Sequence, residues 1–431
     1  MDFFLATIVH CLSSIVHGQL YPHLTFRIFL PPLFLDPSHS LCKPMRPWTL
    51  LFSTLLLLPT IIHADPPAGN PDAVARQMKA ETIRAWHAYT RYAWGHDGFQ
   101  PLTRSGSDWY EEPLGITLVD AYSTLSLMGF KEETKKIERY VVDSIRFDRD
   151  IYVKTFEVDI RILGGLLCMY HLSRDSAVLR KAEDFGQRLL PAFATKTGIP
   201  RYWVNLKTGQ TRGDSVNVAE GGSSLLEMGI LSYFTGKPVY YQAAKRAVQA
   251  IYQRRSALGL VAQDIDVETG LWLDEQSHVG ACIDSYYEYL LKGWLLFHDP
   301  DLKTMWDASI TAINRYLADE VRGELWYGRA SMKTGKKISS VVTLYDAFFP
   351  GLLTLSGDTV RAAKLQTSWD HVWDENGLEP MVYDYRTDSI LNVSYDLNPE
   401  ILESAYYLYH WTGEKIYRQR AQKYFDDLVK F

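Results

Sequence analysis

Acidic residues recur near the start of a series of apolar segments, and they are the side chains of this 431-residue chain best suited to chemistry. Carboxyl groups that face one cavity can act as a general acid and a general base, or they can hold a hard cation. A single acid has a simpler explanation, because the helix dipole favours negative charge in the first turn by ~0.3–1 kcal/mol. The acids are Asp120, Glu157, Glu220 with Glu227, Asp284, Asp346, and Glu400 with Glu403.

The apolar character of the surrounding segments favours a functional cluster over a dipole effect. Burying an unpaired charge costs far more than the dipole contributes, so several acids on buried helices need a further reason. Arg161 follows Glu157 by four residues, which places both on one helix face, either as a helix ion pair or as pocket residues. The chain has no Cys/His zinc spacing, phosphate loop or nucleophile elbow. The carboxylates are therefore the candidates for catalysis.

These acids lie on a repeated unit of two helices joined by a short polar turn. The first helix of a unit is apolar nearly all round, as from Ser285 to Phe297, which predicts burial on several sides. The second helix is amphipathic, with apolar residues three or four apart, as at Tyr241, Ala244 and Val248. The six turns are at 127–129, 171–175, 234–237, 297–299, 355–358 and 411–414.

Six such pairs and a leading helix at about 77–94 predict 13 helices. Repeated pairs close into a ring or stack as an open solenoid, and the long insertions between these pairs favour the ring. The insertions are rich in Gly, Thr and Asn, as in 195–217, which indicates short β-hairpins. All inner helices of a ring start at the same end. The sequence therefore predicts an all-α toroid of helix pairs with acids around one mouth.

The first 64 residues differ from the rest. Residues 45–64 have a basic start, an apolar run of about 15 residues and a small residue before Asp65, which indicates a secretory signal peptide. The run is short and Pro-broken, so we expect an exported protein without stable membrane insertion after signal cleavage. Residues 1–44 are interpreted as a spurious upstream extension, with a membrane-tethering prefix as the alternative.

The composition limits the kinds of molecule that the protein is expected to bind. The net charge of −6 and the absence of a basic stripe argue against binding to nucleic acid. The chain contains 27 Tyr and 12 Trp, which suit a core of large helices and also suit a sugar site, where rings stack and hydroxyls bond. Beyond the signal segment only Cys168 and Cys282 remain, too few for a disulfide framework.

Ordered sequence blocks from about residue 83 to the end resemble glycoside hydrolase family 47, the class I α-1,2-mannosidases. Leu344 stands where the processing enzymes of that family have His, which points to the ER degradation-enhancing branch or its secreted bacterial relatives. The blocks include YAWGHD (92–97), LGITLVDAYSTLSLMG (114–129), FEVDIRILGGLL (156–167), GIPRYWVNLKTG (198–209), GACIDSYYEYLLK (280–292), DAFFPGLLTLSGD (346–358) and NPEILESAYYLY (398–409).

The resemblance implies an (α/α)7 barrel and an inverting exo-α-mannosidase that removes terminal α-1,2-linked mannose from oligosaccharides or glycoprotein N-glycans. It also implies a Ca²⁺ ion that holds two hydroxyls of the terminal mannose. By motif, Glu157 resembles the general acid, thought to act through a water, and Glu400 resembles the base that activates the attacking water. Asp284 resembles a third essential carboxylate. The implied substrate-binding or calcium-shell positions are Arg161, Glu220 and Glu403.

The chain departs from the family pattern at three places. Asn398 replaces an Arg before the Pro-Glu of the last block, and an upstream Pro-Glu pair is Pro380-Met381 here, with Glu379 before the proline. The chain ends at Phe431, ahead of the family's last helix and of the Thr that binds calcium. We therefore expect a C-terminally truncated catalytic domain at 72–431 that lacks the last helix, and the sequence assigns no metal ligand.

Two other functions compete with the mannosidase. The departures at Asn398 and Met381 are compatible with a mannose-binding, lectin-like relative that has lost its chemistry. A sugar hydrolase or epimerase with an (α/α)6 barrel is the third possibility, and the number of matching blocks disfavours it.

Overall fold

A computed structural model describes residues 71–430, and most of them are helical. The helices are α1 (Pro71–Tyr92), α2 (Ile116–Leu127), α3 (Lys131–Asp143), α4 (Thr155–Val158), α5 (Gly164–Ser173), α6 (Ser176–Leu189), α7 (Val218–Gly222), α8 (Leu225–Thr235), α9 (Val239–Gln253), α10 (Asp284–Phe297), α11 (Pro300–Tyr316), α12 (Phe349–Leu355), α13 (Thr359–Asn376), α14 (Glu400–Thr412) and α15 (Lys415–Lys430).

The helices form an (α/α)7 barrel, of which residues 71–430 contribute one leading helix and six pairs. Inner helices pack on their neighbours in the ring, as α2 does on α5 and α12 on α14. Each inner helix also packs on the outer helix that follows it. The leading helix α1 lies beside the outer helix α3, where Trp86 Nε1 donates a 2.8 Å hydrogen bond to Glu133. The predicted all-α toroid and its repeat are confirmed.

Three of the inner helices within 71–430 are irregular where they begin. A π-helical turn at Asp159–Leu163 joins α4 to α5, and a break at Ser223 and Ser224 separates α7 from α8. A 3-10 turn at Leu344–Phe348 leads into α12. Such local changes of helix type rotate the side chains that follow, and they are frequent at functional sites.

Short antiparallel strands lie in the segments before the inner helices, and several of them form hairpins, as the insertions predicted. Within residues 71–430 they form six small sheets, some of which join strands of different segments, and β3, β6 and β13 lead directly into inner helical segments. The strands are β1 (Gly98–Gln100), β2 (Ser105–Ser107), β3 (Tyr152–Lys154), β4 (Trp203–Asn205), β5 (Thr211–Arg212), β6 (Ser215–Asn217), β7 (Asp264–Asp266), β8 (Gln276–Ser277), β9 (Ala318–Val321), β10 (Glu324–Tyr327), β11 (Arg329–Ser331), β12 (Lys337–Ser339), β13 (Val341–Thr343), β14 (Val382–Asp384) and β15 (Ser389–Asn392).

A close approach of backbones holds α2 and α5 together. A Cβ on Gly165 would lie 2.6 Å from a methyl carbon of Val119 and 2.8 Å from the Val119 carbonyl oxygen. Only glycine permits this distance, because the carbonyl belongs to the helix backbone and cannot move aside. At the opposite end of the pairs, Gly236 and Gly413 close inner helices with φ of 69° and 72°, as the turns predicted.

Some expectations concern other parts of the chain. The interpreted extension at 1–44 and the signal peptide at 45–64 lie outside the described residues. Within residues 71–430, none of the helices combines the length and apolarity that crossing a membrane requires.

Gly165→Ala should destabilise the barrel by about 1–3 kcal/mol, because the added methyl group meets the Val119 carbonyl. Gly129→Ala is the matched control: its Cβ meets no atom within 4 Å, and it incurs only the cost of a left-handed φ of 82°, about 1 kcal/mol. Urea unfolding of both variants measures the difference. A Gly165→Ala protein as stable as the wild type would show that the two helices are not in tight contact.

Candidate active site

The inner helices begin around one cavity of about 260 Å³. Five inner helical segments contribute to its walls, those that start near Thr155, Val218, Asp284, Leu344 and Glu400. Five of the acids predicted at one mouth line this cavity, whereas Asp120, Glu227 and Asp346 do not. The carboxyl side chains that line the cavity are Glu157, Glu220, Asp284, Glu288, Glu400 and Glu403.

Glu157 is held by an ion pair inside its own wall. Arg161 Nε donates a 3.0 Å hydrogen bond to Glu157 Oε2, and Arg161 Nη1 lies 3.4 Å from Asp120 Oδ2. The guanidinium is buried and also lies 5.3 Å from the ring centre of Trp109. Glu157 keeps 21% of its side chain exposed toward the cavity. The four-residue spacing of Glu157 and Arg161 was explained either by a helix ion pair or by a shared pocket. Both apply, because Arg161 pairs with Glu157 and also lines the cavity.

Asp120 lies behind Arg161 and outside the lining of the cavity. Burial raises the pKa of Asp120 to about 7, although Arg161 lowers it. Asp120 and Glu157 share the single cation Arg161. Asp120 therefore orients the guanidinium from the side away from the cavity.

Helix capping explains part of the acid pattern. The Glu220 backbone N donates to Asn217 Oδ1 at 2.8 Å, and Asn217 N donates to Glu220 Oε2 at 3.3 Å, so Glu220 closes a capping box and lines the cavity. Asp346 caps the 3-10 turn, with its Oδ2 accepting from Thr343 N at 3.0 Å. Asp346 does not line the cavity, so its role at the start of the helical turn explains its position without a catalytic function.

Glu288 is a cavity acid that our sequence analysis missed. It stands four residues after Asp284 on the same face of α10, and Lys292 follows by four more. The Lys292 ammonium pairs with Glu288 and lies 3.8 Å from Glu403 Oε1. Burial alone would lower the pKa of Lys292, but the negative charges of Glu288 and Glu403 help to raise it above its ordinary value. The ammonium therefore stays charged. The spacing from Asp284 was the available signal.

Glu227 belongs to the wall of the barrel and does not line the cavity. Its Oε1 accepts a 3.0 Å hydrogen bond from the Tyr289 hydroxyl, and its side chain is buried. Burial raises the pKa of Glu227 to about 8. Asp159 on the π-helical turn is also buried, and the nearby Glu227 adds to the increase of its pKa that burial causes. These acids are held in a form that keeps the wall uncharged.

Calcium binds oxygen ligands, which include carboxylates, backbone carbonyls and water. Among residues 71–430, no three Asp, Glu, His or Cys side chains converge on one point as a metal site would need. Lys292 also faces Glu288 and Glu403. The acidic, His and Cys side chains of residues 71–430 alone therefore assign no ligand set to the implied Ca²⁺.

Carboxyl groups on different walls of one cavity can act on one glycosidic bond. One group protonates the leaving oxygen while another removes a proton from water on the opposite side of the sugar ring. Glu157 from α4 and Glu400 from α14 stand on separate inner helices and both line the cavity. Asp284 from α10 lines it between these walls.

Comparison with known proteins identifies the family. The sequence matches the model of glycosyl hydrolase family 47 over residues 81–431. Alpha-mannosidase I MNS5 of Arabidopsis thaliana is 36% identical over 402 residues, covering 85% of this chain and 69% of the relative. Human ER degradation-enhancing alpha-mannosidase-like protein 2 is 35% identical, with 81% of this chain and 62% of the relative covered. The chain thus spans about two thirds of the length of these curated relatives.

Solved structures agree with the fold. The alpha-1,2-mannosidase from Trichoderma reesei superposes with a TM-score of 0.75 at 26% identity, covering 83% of this chain and 84% of that chain. Cellobiose 2-epimerase from Spirochaeta thermophila reaches a TM-score of 0.53 at 11% identity, over 65% of this chain and 74% of that chain, which is a likeness of fold alone. These matches favour the mannosidase relationship over the (α/α)6 alternative.

Glu227→Gln should reduce the loss of stability that accompanies rising pH. The raised pKa in the folded state means that the contribution of Glu227 is complete below its ordinary value of 4.5 and is lost as pH rises through about 8. Gln stays neutral, so the variant should lose less stability than the wild type across this range, by up to a few kcal/mol.

The measurement is the unfolding free energy at a series of pH values, with the exposed Glu132→Gln as control. Glu132→Gln should reproduce the wild-type slope. Equal slopes for all three proteins would contradict a neutral Glu227 in the folded wall.

Proposed function

Since the chain belongs to glycosyl hydrolase family 47, we propose that it is an inverting exo-α-mannosidase that removes terminal α-1,2-linked mannose from oligosaccharides or N-glycans. The observation that carries the proposal is the position of Glu157 and Glu400 on different walls of one cavity. At about 260 Å³ the cavity is smaller than pockets for drug-sized ligands, which measure ~300–1,000 Å³. This size suits a single terminal sugar residue.

In the proposed reaction the glycosidic oxygen takes a proton from Glu157, directly or through a water. A second water, deprotonated by Glu400, attacks the anomeric carbon from the opposite side as the bond to the leaving sugar breaks. Arg161 fixes the Glu157 carboxyl by its 3.0 Å hydrogen bond, so the acid meets the substrate in one orientation. Asp284 is the third carboxylate of this set.

The remaining polar groups of the cavity are proposed to bind the sugar. Arg161, Glu220 and Glu403 line the walls and offer donors and acceptors for mannose hydroxyls. Their burial strengthens such hydrogen bonds, because water does not compete for them. Export through a signal peptide at 45–64 is part of the proposal, and the human relatives named for the ER support it.

Glu157→Gln and Glu400→Gln should each abolish turnover in a folded protein, with a loss of at least ~10²-fold in kcat, because each removes one proton-transfer step. Mannose release from α-1,2-, α-1,3- and α-1,6-linked mannobioses measures the effect. Glu227→Gln is the control, since it removes a buried acid outside the cavity and should keep most of the activity.

Wild-type rates in either cavity variant would contradict the assigned roles. Calorimetry with the same mannobioses separates the two functions that remained open. Binding without any release of mannose at high enzyme concentration would favour a mannose-binding relative that has lost hydrolysis.

Calcium dependence is a further part of the proposal, and it is supported by the family relationship. Dialysis against a chelator should remove activity, and Ca²⁺ should restore it. Full activity in chelator, with absence of metal confirmed by elemental analysis, would eliminate calcium from the account.

A further inference from the structure

The loop at 280–283 leads into α10 and carries Asp284, the third carboxylate of the proposed set, to the cavity. The loop is tightly turned, because the backbone N atoms of Ile283 and Asp284 both donate to the Gly280 carbonyl, at 3.1 and 3.0 Å. Ser285 N then donates a 2.8 Å hydrogen bond to Asp284 Oδ1 where the helix begins. Contacts that fix Gly280 therefore also fix the position of Asp284.

The carboxyl group of Asp346 occupies the space where a side chain on Gly280 would lie. A Cβ built on Gly280 would be 2.7 Å from Asp346 Cγ and 2.9 Å from Oδ1, and closer still to Oδ2. Cβ atoms in folded proteins do not approach other atoms this closely, so the contact exists only because residue 280 is glycine. Asp346 belongs to the 3-10 turn Leu344–Phe348, and the contact thus joins the starts of two inner helical segments.

The Asp346 carboxyl is itself held in place. Its Oδ2 accepts hydrogen bonds from Thr343 N at 3.0 Å and from Thr343 Oγ1 at 2.8 Å. Thr343 ends β13 and pairs there with Val382 of β14, so its own position is set by a sheet. Only 6% of Asp346 is exposed. The carboxyl group therefore cannot move aside without breaking the hydrogen bonds that cap the turn.

The opposite side of the loop is held by α7. Ala219 N donates a 2.9 Å hydrogen bond to the Cys282 carbonyl, and both residues line the cavity. The loop therefore lies between two fixed neighbours, α7 on one side and the 3-10 turn with Asp346 on the other. Because packed elements move together when one contact changes, a change at Asp346 should displace Asp284.

We propose that Asp346 is a positioning residue for Asp284: its carboxyl group, fixed by Thr343, packs against Gly280 and holds the loop so that Asp284 enters the cavity at the reacting sugar. This inference rests on the proposed function. A misplacement of about 1 Å in a catalytic constellation can reduce the rate by ~10²-fold. Asp346 lies outside the lining of the cavity, so it acts through the loop.

Three single variants separate this contact from a need for charge. Asp346→Asn keeps the size of the side chain and an oxygen acceptor for Thr343, so kcat should stay within about threefold of the wild type. Asp346→Ala removes the contact, and Gly280→Ala places a methyl group where the carboxyl lies. Each of these two variants should lower kcat for α-1,2-mannobiose by about tenfold, with KM changed by less than about threefold.

The double variant Gly280→Ala/Asp346→Ala tests the contact directly. Shortening residue 346 makes room for the new methyl group, so the double variant should lose about as much kcat as the worse single variant. Independent effects would instead multiply to a loss of about a hundredfold. Multiplied losses overturn the inference, as does a wild-type kcat in Asp346→Ala. An equal loss in Asp346→Asn and Asp346→Ala also overturns it, because the charge would then be what the reaction requires.

Asp358→Ala is the matched control for the capping role of Asp346. Asp358 caps the outer helix α13, where its Oδ1 accepts a 3.2 Å hydrogen bond from Arg361 N, and it does not line the cavity. The variant should lower the urea midpoint and keep the wild-type kcat. A loss of kcat in Asp358→Ala as large as that in Asp346→Ala would overturn the inference, since any lost helix cap would then have the same effect.

Urea unfolding separates the inference from the proposed function. Gly280→Ala should lower the midpoint in the wild-type protein and should lower it less in the Asp346→Ala background. Equal decreases in the two backgrounds would show that the residues do not contact each other, and the inference would fail whatever the activity. If the wild type hydrolyses no mannoside while the midpoints depend on each other, the proposed function fails and the contact stands.

Discussion

The free-energy cost of burying negative charge governs this molecule. Six carboxyl side chains line one cavity of about 260 Å³, in a space where water cannot solvate all of them. Arg161 offsets the charge on one wall and Lys292 on another. Acids farther from the cavity, such as Glu227, have raised pKa values and hold protons instead. Burial also raises the pKa of two cavity acids, Glu220 and Glu403, the latter to about 7, so the cost of charge acts in the cavity as well as in the wall.

The fold provides the positions that this arrangement requires. A ring of helix pairs brings all inner helices to start at one end, and strands such as β3 and β6 lead directly into those starts. Irregular turns then set the direction of individual side chains. The π-helical turn Asp159–Leu163 begins two residues after Glu157 and contains Arg161, so it affects how the acid and its cation meet. Local irregularity and chemistry coincide at this place.

Much of the fold followed from sequence because the signals were local. Apolar helices, polar turns and glycines at helix ends repeat in order, and each depends on neighbouring residues alone. The site was only partly predictable, because distance along a helix does not give the direction around it. Glu227 and Asp346 had the right distance from a turn, but a helix break and a 3-10 turn rotate them away from the cavity.

Glu288 and Glu379 are the opposite case, because the sequence pattern did not select them and the fold brings them into the interior. Glu288 could have been found four residues after Asp284, whereas the burial of Glu379, of which 1% is exposed, follows from the packing of the folded chain. Tertiary packing of this kind leaves no local pattern. The position of Asn398 next to the candidate base is likewise a matter of the folded chain, in which Asn398 is buried.

The central claim is that Glu157 and Glu400 act from opposite walls on one glycosidic bond, with a water between the sugar and the base. The stereochemistry of the product tests this claim most directly. Proton NMR, recorded in the first minutes of hydrolysis of α-1,2-mannobiose, identifies the anomer of the newly released mannose before it equilibrates. The account predicts β-mannose, because water attacks from the side opposite to the leaving sugar. Initial release of α-mannose would contradict it.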